Sequence, residues 1–155
     1  MAESNLHVTL KFLGQIDEAR LPAVSDALGV TSRAVRFELD VRGLGAFPSA
    51  ARPRVVWAGL DRAQPLAALV AEVDGALAGL GFPRESRPFA AHVTLGRVRE
   101  PRRQPALADA LAHAVDLGRL PVTAVSLMRS ELHPRGARYT ELTRVTLASE
   151  DSPVE

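Results

Sequence analysis

The chain has 155 residues, 46% hydrophobic and 24% charged, a balance that suits one globular domain with a sizeable core and excludes a disordered polymer. Its 19 Lys plus Arg nearly match its 18 Asp plus Glu, so a net charge of +1 does not by itself mark a nucleic-acid binder. The absence of cysteine excludes disulfides, thiolate nucleophiles and thiolate metal sites. Met1 to Leu6 has neither the basic nor the apolar region of a secretory signal. The longest apolar stretch, Leu66 to Leu80, is interrupted by Glu72 and Asp74 and cannot span a membrane. A cytoplasmic, membrane-independent monomer is the expected class. Lys11 is the only lysine; every other basic residue is arginine, whose rigid fork suits phosphate, although a coding sequence rich in G and C gives the same bias.

In chain order, Leu6 to Phe12 alternates strictly and predicts a strand with His7, Thr9 and Lys11 on one face and Val8, Leu10 and Phe12 on the other. Asp17 caps a predicted helix to about Leu28, with Leu21, Val24 and Leu28 as its apolar stripe and Gly29 as its stop. Val35 to Val41 alternates again as a second strand. Gly43, Gly45, Pro48 and Ser49 predict a loop, and Arg54 to Leu60 predicts a third strand containing Trp57. Pro65 opens a long amphipathic helix to about Leu80.

Phe89 to Val98 predicts a fourth strand, followed by a basic loop from Glu100 to Pro105 and a helix from about Pro105 to Val115. Strands near Val122 to Leu132 and Tyr139 to Leu147 close the pattern, and the polar tail Ser149 to Glu155 is expected to fray. The order reads as one α+β domain over 1–155 in which a strand-helix-strand-strand unit occurs twice, as two pseudo-symmetric lobes.

The sequence His-Val-Thr-Leu occurs twice, at His7 and at His92, and uses two of only four histidines. In a strand, residues i and i+2 share a face and lie roughly 6.6 Å apart, so each copy offers an imidazole beside a hydroxyl. Two such pairs facing one groove suit an in-line displacement at phosphorus. One imidazole takes the proton from water while the other protonates the leaving oxygen, and Thr9 and Thr94 donate to the non-bridging oxygens. Histidine fits both roles because its unperturbed pKa of about 6.5 leaves both protonation states available near neutrality.

Leu6 to Gly14 and Arg87 to Arg97 resemble the two HxTx motifs of the two-histidine (2H) phosphoesterase superfamily, in particular its RNA 2′,3′-cyclic phosphodiesterases, also called 2′-5′ RNA ligases. The resemblance extends through Gly43-Leu44-Gly45-Ala46-Phe47-Pro48, Val55 to Leu60, and Ser130-Glu131-Leu132 through Tyr139. It implies a bilobal α+β duplication with the histidines in a central cleft, one in each lobe. It also implies metal-independent opening of a terminal 2′,3′-cyclic phosphate to a 2′-phosphate, without cofactor. His7 would be the proton donor and His92 the acceptor, with RNA ends, tRNA halves among them, as partners and 2′-5′ ligation as a further family activity. Members of the family usually carry a strand and a helix before the first motif, and only six residues precede His7, so this strand and helix are expected to be lacking.

Arg97 resembles the family's phosphate-side arginine, yet strict alternation puts it opposite His92 unless Gly96 introduces a bulge. Lys11 shares the face of His7 and is a candidate substrate contact. Trp57 reads as core rather than as a base-stacking ring, and His113 and His133 read as structural or exposed. Arg87, Arg102, Arg103, Arg135 and Arg138 could follow an RNA backbone, but each reads singly as a solvated charge. Two histidines with no nearby third ligand predict no metal site. Two other readings share the pattern: the same fold acting on small cyclic nucleotides, and a catalytically weak RNA-end binding protein.

Overall fold

A computed structural model describes residues 1–100 and 102–150 of the chain. Asp17 opens the first helical segment as expected: its carboxylate accepts from the Ala19 amide at 3.0 Å. A 3-10 turn at Glu18–Arg20 leads into α1 (Leu21–Leu28), which buries Val24 and Leu28. Gly29 does not end the helical path, because it keeps φ −57° and the chain tightens into a 3-10 turn over Gly29–Arg33. The remaining elements are β1 (Phe37–Pro48), β2 (Pro53–Asp61), α2 (Gln64–Ala78), β3 (His92–Arg97), α3 (Pro105–Leu111), β4 (Asp116–Val122), β5 (Ala124–His133) and β6 (Gly136–Thr146). The architecture is α+β, as the element pattern predicts.

The described chain forms two compact units, each assembled from three separated stretches. The first unit takes Met1–Val8, Glu38–Ala63 and Ala90–Leu120; the second takes Thr9–Phe37, Gln64–Phe89 and the chain from Pro121 onward. Both histidines belong to the first unit, and the unit boundary falls between Val8 and Thr9.

A four-stranded sheet in the order β3-β2-β1-β4 organises the first unit. β1 pairs antiparallel with β2, and β2 pairs antiparallel with β3. Alternation sorts its residues onto two faces. Leu39, Ala46, Ala58 and Leu60 are buried on one face. On the other, Gly45 lies opposite Trp57 and Phe47 opposite Val55.

The second unit packs α1 and α2 with the β5–β6 hairpin. Val24, Leu28, Val73, Leu77, Phe82 and Leu127 form a buried cluster, joined by Leu10, Leu13 and Ile16. On α2 the buried residues Leu66, Leu69, Val73 and Leu77 recur at intervals of three and four, one face of a helix, and each contributes about 1.5–3 kcal/mol on burial.

Several expectations are corrected. Leu6 to Phe12 belongs to no strand; without ladder partners its alternation is not enforced, and Phe12 is 83% exposed while Leu10, expected on the same face, packs on the core with Leu13. The expected loop at 43–48 is instead the second half of β1. There a bulge between Val41 and Leu44, with Gly43 at φ +76°, absorbs the irregular residues without ending the strand. β4 was not foreseen, because Gly118 and Pro121 break its pattern. β3 begins at His92 rather than Phe89, and α3 stops at Leu111, leaving His113 exposed beyond it. Pro101 in the basic loop and residues 151–155 of the tail lie outside the described residues. Among the described residues, no helix is long and apolar enough to cross a membrane.

Candidate active site

β3 carries the second His-Val-Thr-Leu and is an edge strand of the first unit's sheet. Its pairing with β2 sets which side chains share a face. His92 lies opposite Gly59, Thr94 opposite Trp57 and Arg97 opposite Val55. Positions 55, 57 and 59 alternate along β2 and share one face, so His92, Thr94 and Arg97 share that face as well. Simple counting would put Arg97 on the reverse side. The register shifts between Val56 and Trp57, where Leu95 is the extra residue on β3, and this bulge returns Arg97 to the side of His92.

The imidazole of His92 is half-buried and fixed by two contacts. Its Nδ1 lies 2.6 Å from the Ala90 carbonyl oxygen, and its ring meets Phe47 edge to face at 5.2 Å between centroids and 90°. A carbonyl oxygen only accepts, so Nδ1 carries its hydrogen and proton exchange is left to Nε2. His7 repeats the device: its Nδ1 lies 2.6 Å from the Asn5 carbonyl oxygen, again two residues upstream. Both rings are therefore held in the same tautomer. His7 is exposed and follows a 3-10 turn at Glu3–Asn5 rather than standing in a ladder.

Thr9 and Lys11 belong to the second unit. Thr9 is exposed. Lys11, the candidate substrate contact, is engaged within this unit. Its ammonium donates to Asp74 on α2 and to the Pro83 carbonyl at 2.8 Å, and its side chain is only 8% exposed. Asp74 also accepts from the Glu85 amide. The hydrogen bond from Lys11 is the main cause holding the Asp74 carboxyl below the ordinary carboxylate range. Partial burial opposes it, while the Glu85 amide and the charges of Lys11 and Arg84 reinforce it. This cluster anchors the chain just after the first motif.

Trp57 is half-buried in a central strand, with its indole close against Gly45 and its Nε1–H shielded without an acceptor. Arg87, Arg102, Arg103, Arg135 and Arg138 are exposed, and His133 lies 3.7 Å from Glu131 at the end of the hairpin. Among the described residues no group of three or more His, Asp or Glu is placed to hold a metal ion. Sequence reasoning missed Phe47, which it assigned to a loop. The available signal was its parity with Trp57 once a bulge is allowed at Gly43.

Comparison with known proteins finds relatives over most of the chain. An RNA 2′,3′-cyclic phosphodiesterase of Methanothermobacter thermautotrophicus is 38% identical over 141 residues, covering 89% of this chain and 76% of the relative. One from Aeropyrum pernix is 37% identical over 150 residues, covering 95% and 85%. Among solved structures, TT0787 of Thermus thermophilus superposes with a TM-score of 0.76 at 32% identity, covering 94% of this chain and 79% of that one. Escherichia coli LigT complexed with 3′-AMP gives 0.72 at 29% identity, covering 94% and 79%. A family model described as the 2′-5′ RNA ligase superfamily matches residues 1–134, a span that takes in both histidine motifs and the sheet that presents the second. By that match and these relatives, the chain belongs to the 2′-5′ RNA ligase superfamily.

Proposed function

We propose that this protein is an RNA 2′,3′-cyclic phosphodiesterase that opens a terminal cyclic phosphate to a 2′-phosphate by acid-base catalysis. The observation that carries the reading is the matched pair of Nδ1 bonds, His7 to Asn5 and His92 to Ala90, in a chain whose relatives bear that activity in their names. With each Nδ1 committed, each Nε2 is the group that moves a proton. His92 takes a proton from water as its oxygen bonds to phosphorus. His7 gives a proton to the 3′-oxygen as the bond from phosphorus to that oxygen breaks. The products are a 2′-phosphomonoester and a free 3′-hydroxyl. Thr94 and Arg97, on the face of His92, donate to the non-bridging oxygens where charge accumulates, and Thr9 does the same beside His7.

The substrate is an RNA end, tRNA halves included, met in the cytoplasm by a monomeric enzyme. The same site joins RNA ends when a 5′-hydroxyl takes the place of water: His92 takes its proton as the 5′-oxygen bonds to phosphorus, His7 again gives a proton to the leaving 3′-oxygen, and a 2′-5′ bond results. The test is hydrolysis of a short RNA ending in a 2′,3′-cyclic phosphate, with product isomers resolved by chromatography. A 2′-phosphate, together with loss of turnover in both His7→Ala and His92→Ala, is expected. A 3′-phosphate product, or undiminished turnover in either variant, overturns the assignment. A chain-length series distinguishes RNA from small cyclic nucleotides, because an RNA enzyme gains kcat/KM from upstream nucleotides.

A further inference from the structure

A general acid or base works only if its reacting nitrogen is held in line with the atom that gains or loses the proton. The Nδ1 bond to Ala90 restrains the His92 ring within its own plane but leaves it able to swing about that bond. The swing is blocked by Phe47, whose ring stands at 90° to the imidazole at 5.2 Å. Phe47 is held in turn. Its ring packs on Trp57 at 5.4 Å and 38°, and the Trp57 indole lies so close over Gly45 that a Cβ there would sit 2.2 Å from Cζ2. These residues occupy one face of the same sheet, across β1, β2 and β3, so a rigid ladder sets their spacing.

We propose that Phe47 is a positioning residue for His92, the last member of a packed series running from Gly45 through Trp57 and Phe47 to the imidazole. Phe47 stays 38% exposed, because its work is to face the ring that faces the substrate, not to fill the core. The inference rests on the reading of His92 as a proton-transfer residue.

The test compares Phe47→Leu with Phe47→Tyr, using a short RNA with a 2′,3′-cyclic phosphate end. Phe47→Leu keeps apolar bulk but removes the flat edge, and it is expected to lower kcat about tenfold, the scale of one edge-to-face contact, while KM stays within about twofold. Phe47→Tyr keeps the ring and restores kcat. In a His92→Ala background, Phe47→Leu should have no further effect on the residual rate, since there is no imidazole left to position. Independently of activity, the carbon-bound ring protons of His92 should lose their aromatic ring-current shift in Phe47→Leu and keep it in Phe47→Tyr. A rise in KM with kcat intact would mean that Phe47 touches substrate instead, and an equal loss in the His92→Ala background would mean a general structural role; either overturns the inference. Undiminished turnover in His92→Ala is a different failure, that of the site assignment itself.

Discussion

Placing a methyl group at Gly45 tests the packing behind the site most directly. A Cβ at this position would lie 2.2, 2.4 and 2.7 Å from three atoms of the Trp57 indole. Ordinary contact between carbons is about 3.5–4.0 Å, so the ring has to retreat by more than about 1 Å. The backbone at Gly45 lies outside the left-handed region, so alanine meets only this clash. Overpacking of this kind costs about 1–3 kcal/mol. At about 2–4 °C per kcal/mol for a chain of this size, Gly45→Ala should lower the melting temperature by roughly 2–12 °C. The retreating indole pushes on Phe47, and Phe47 on His92, so kcat should fall as well. Gly29→Ala is the control: φ is −57° and nothing lies within 4 Å of its Cβ, so it should match or slightly exceed wild-type stability. Thermal melts by circular dichroism and hydrolysis of a terminal cyclic phosphate read both effects. A Gly45→Ala protein that melts within about 1 °C of wild type and turns over normally would refute the reasoning.

The remaining expectations concern the site chemistry and the Lys11 anchor. His7→Ala and His92→Ala should each cost on the order of 10²–10⁴-fold in kcat, and Thr94→Ala less, about 2- to 12-fold for one neutral donor; a larger loss for the threonine than for either histidine would reverse the assigned roles. Because the acid must be charged while the base is neutral, kcat/KM should rise and then fall with pH, and a profile flat from about pH 4 to 10 would contradict the two-histidine scheme. Hydrolysis should persist in excess EDTA, since imidazoles, hydroxyls and Arg97 supply the proton transfers and charge stabilisation; loss restored by a divalent ion would show otherwise. Asp74, held below its unfolded pKa by Lys11, adds stability that is present above the unfolded value of roughly 4 and is lost as pH falls through the lower folded value. Asp74→Asn should therefore melt below wild type at about pH 7, with a gap that narrows under acid, and a gap constant from there down to about pH 3 would count against the ion pair.

What the sequence made legible followed local rules, and what it hid depended on partners. The Asp17 cap, the α1 stripe that buries Val24 and Leu28, and the extents of β2 and α2 could be read because each is set within a few residues by spacing and side-chain chemistry. Strand β1 runs past its expected end because Gly43 and Gly45 look like turn residues in isolation. In the structure the first makes a bulge and the second makes room for Trp57, neither of which is visible without the neighbouring strand. The side taken by Arg97 depended on one extra residue at Leu95, which alternation could pose as a question but not answer. The ion pair of Lys11 was hidden for the same reason: its partner Asp74 is 63 residues away.

The two histidine motifs separate these local and distant contributions within one molecule. His92 stands in a paired strand against Phe47, whereas His7 follows a 3-10 turn and belongs to no strand, yet the same bond from Nδ1 to the carbonyl two residues upstream forms at 2.6 Å in both. Sheet hydrogen bonding therefore cannot be its cause, since only one copy has it. The common factor is local: an imidazole folded back on its own chain reaches the carbonyl at i−2 over a short stretch of backbone. That bond sets the tautomer and hence which nitrogen is left open. The chain just before each histidine thus sets which ring nitrogen is committed, while the sheet with its bulge and aromatic neighbours determines what stands beside His92.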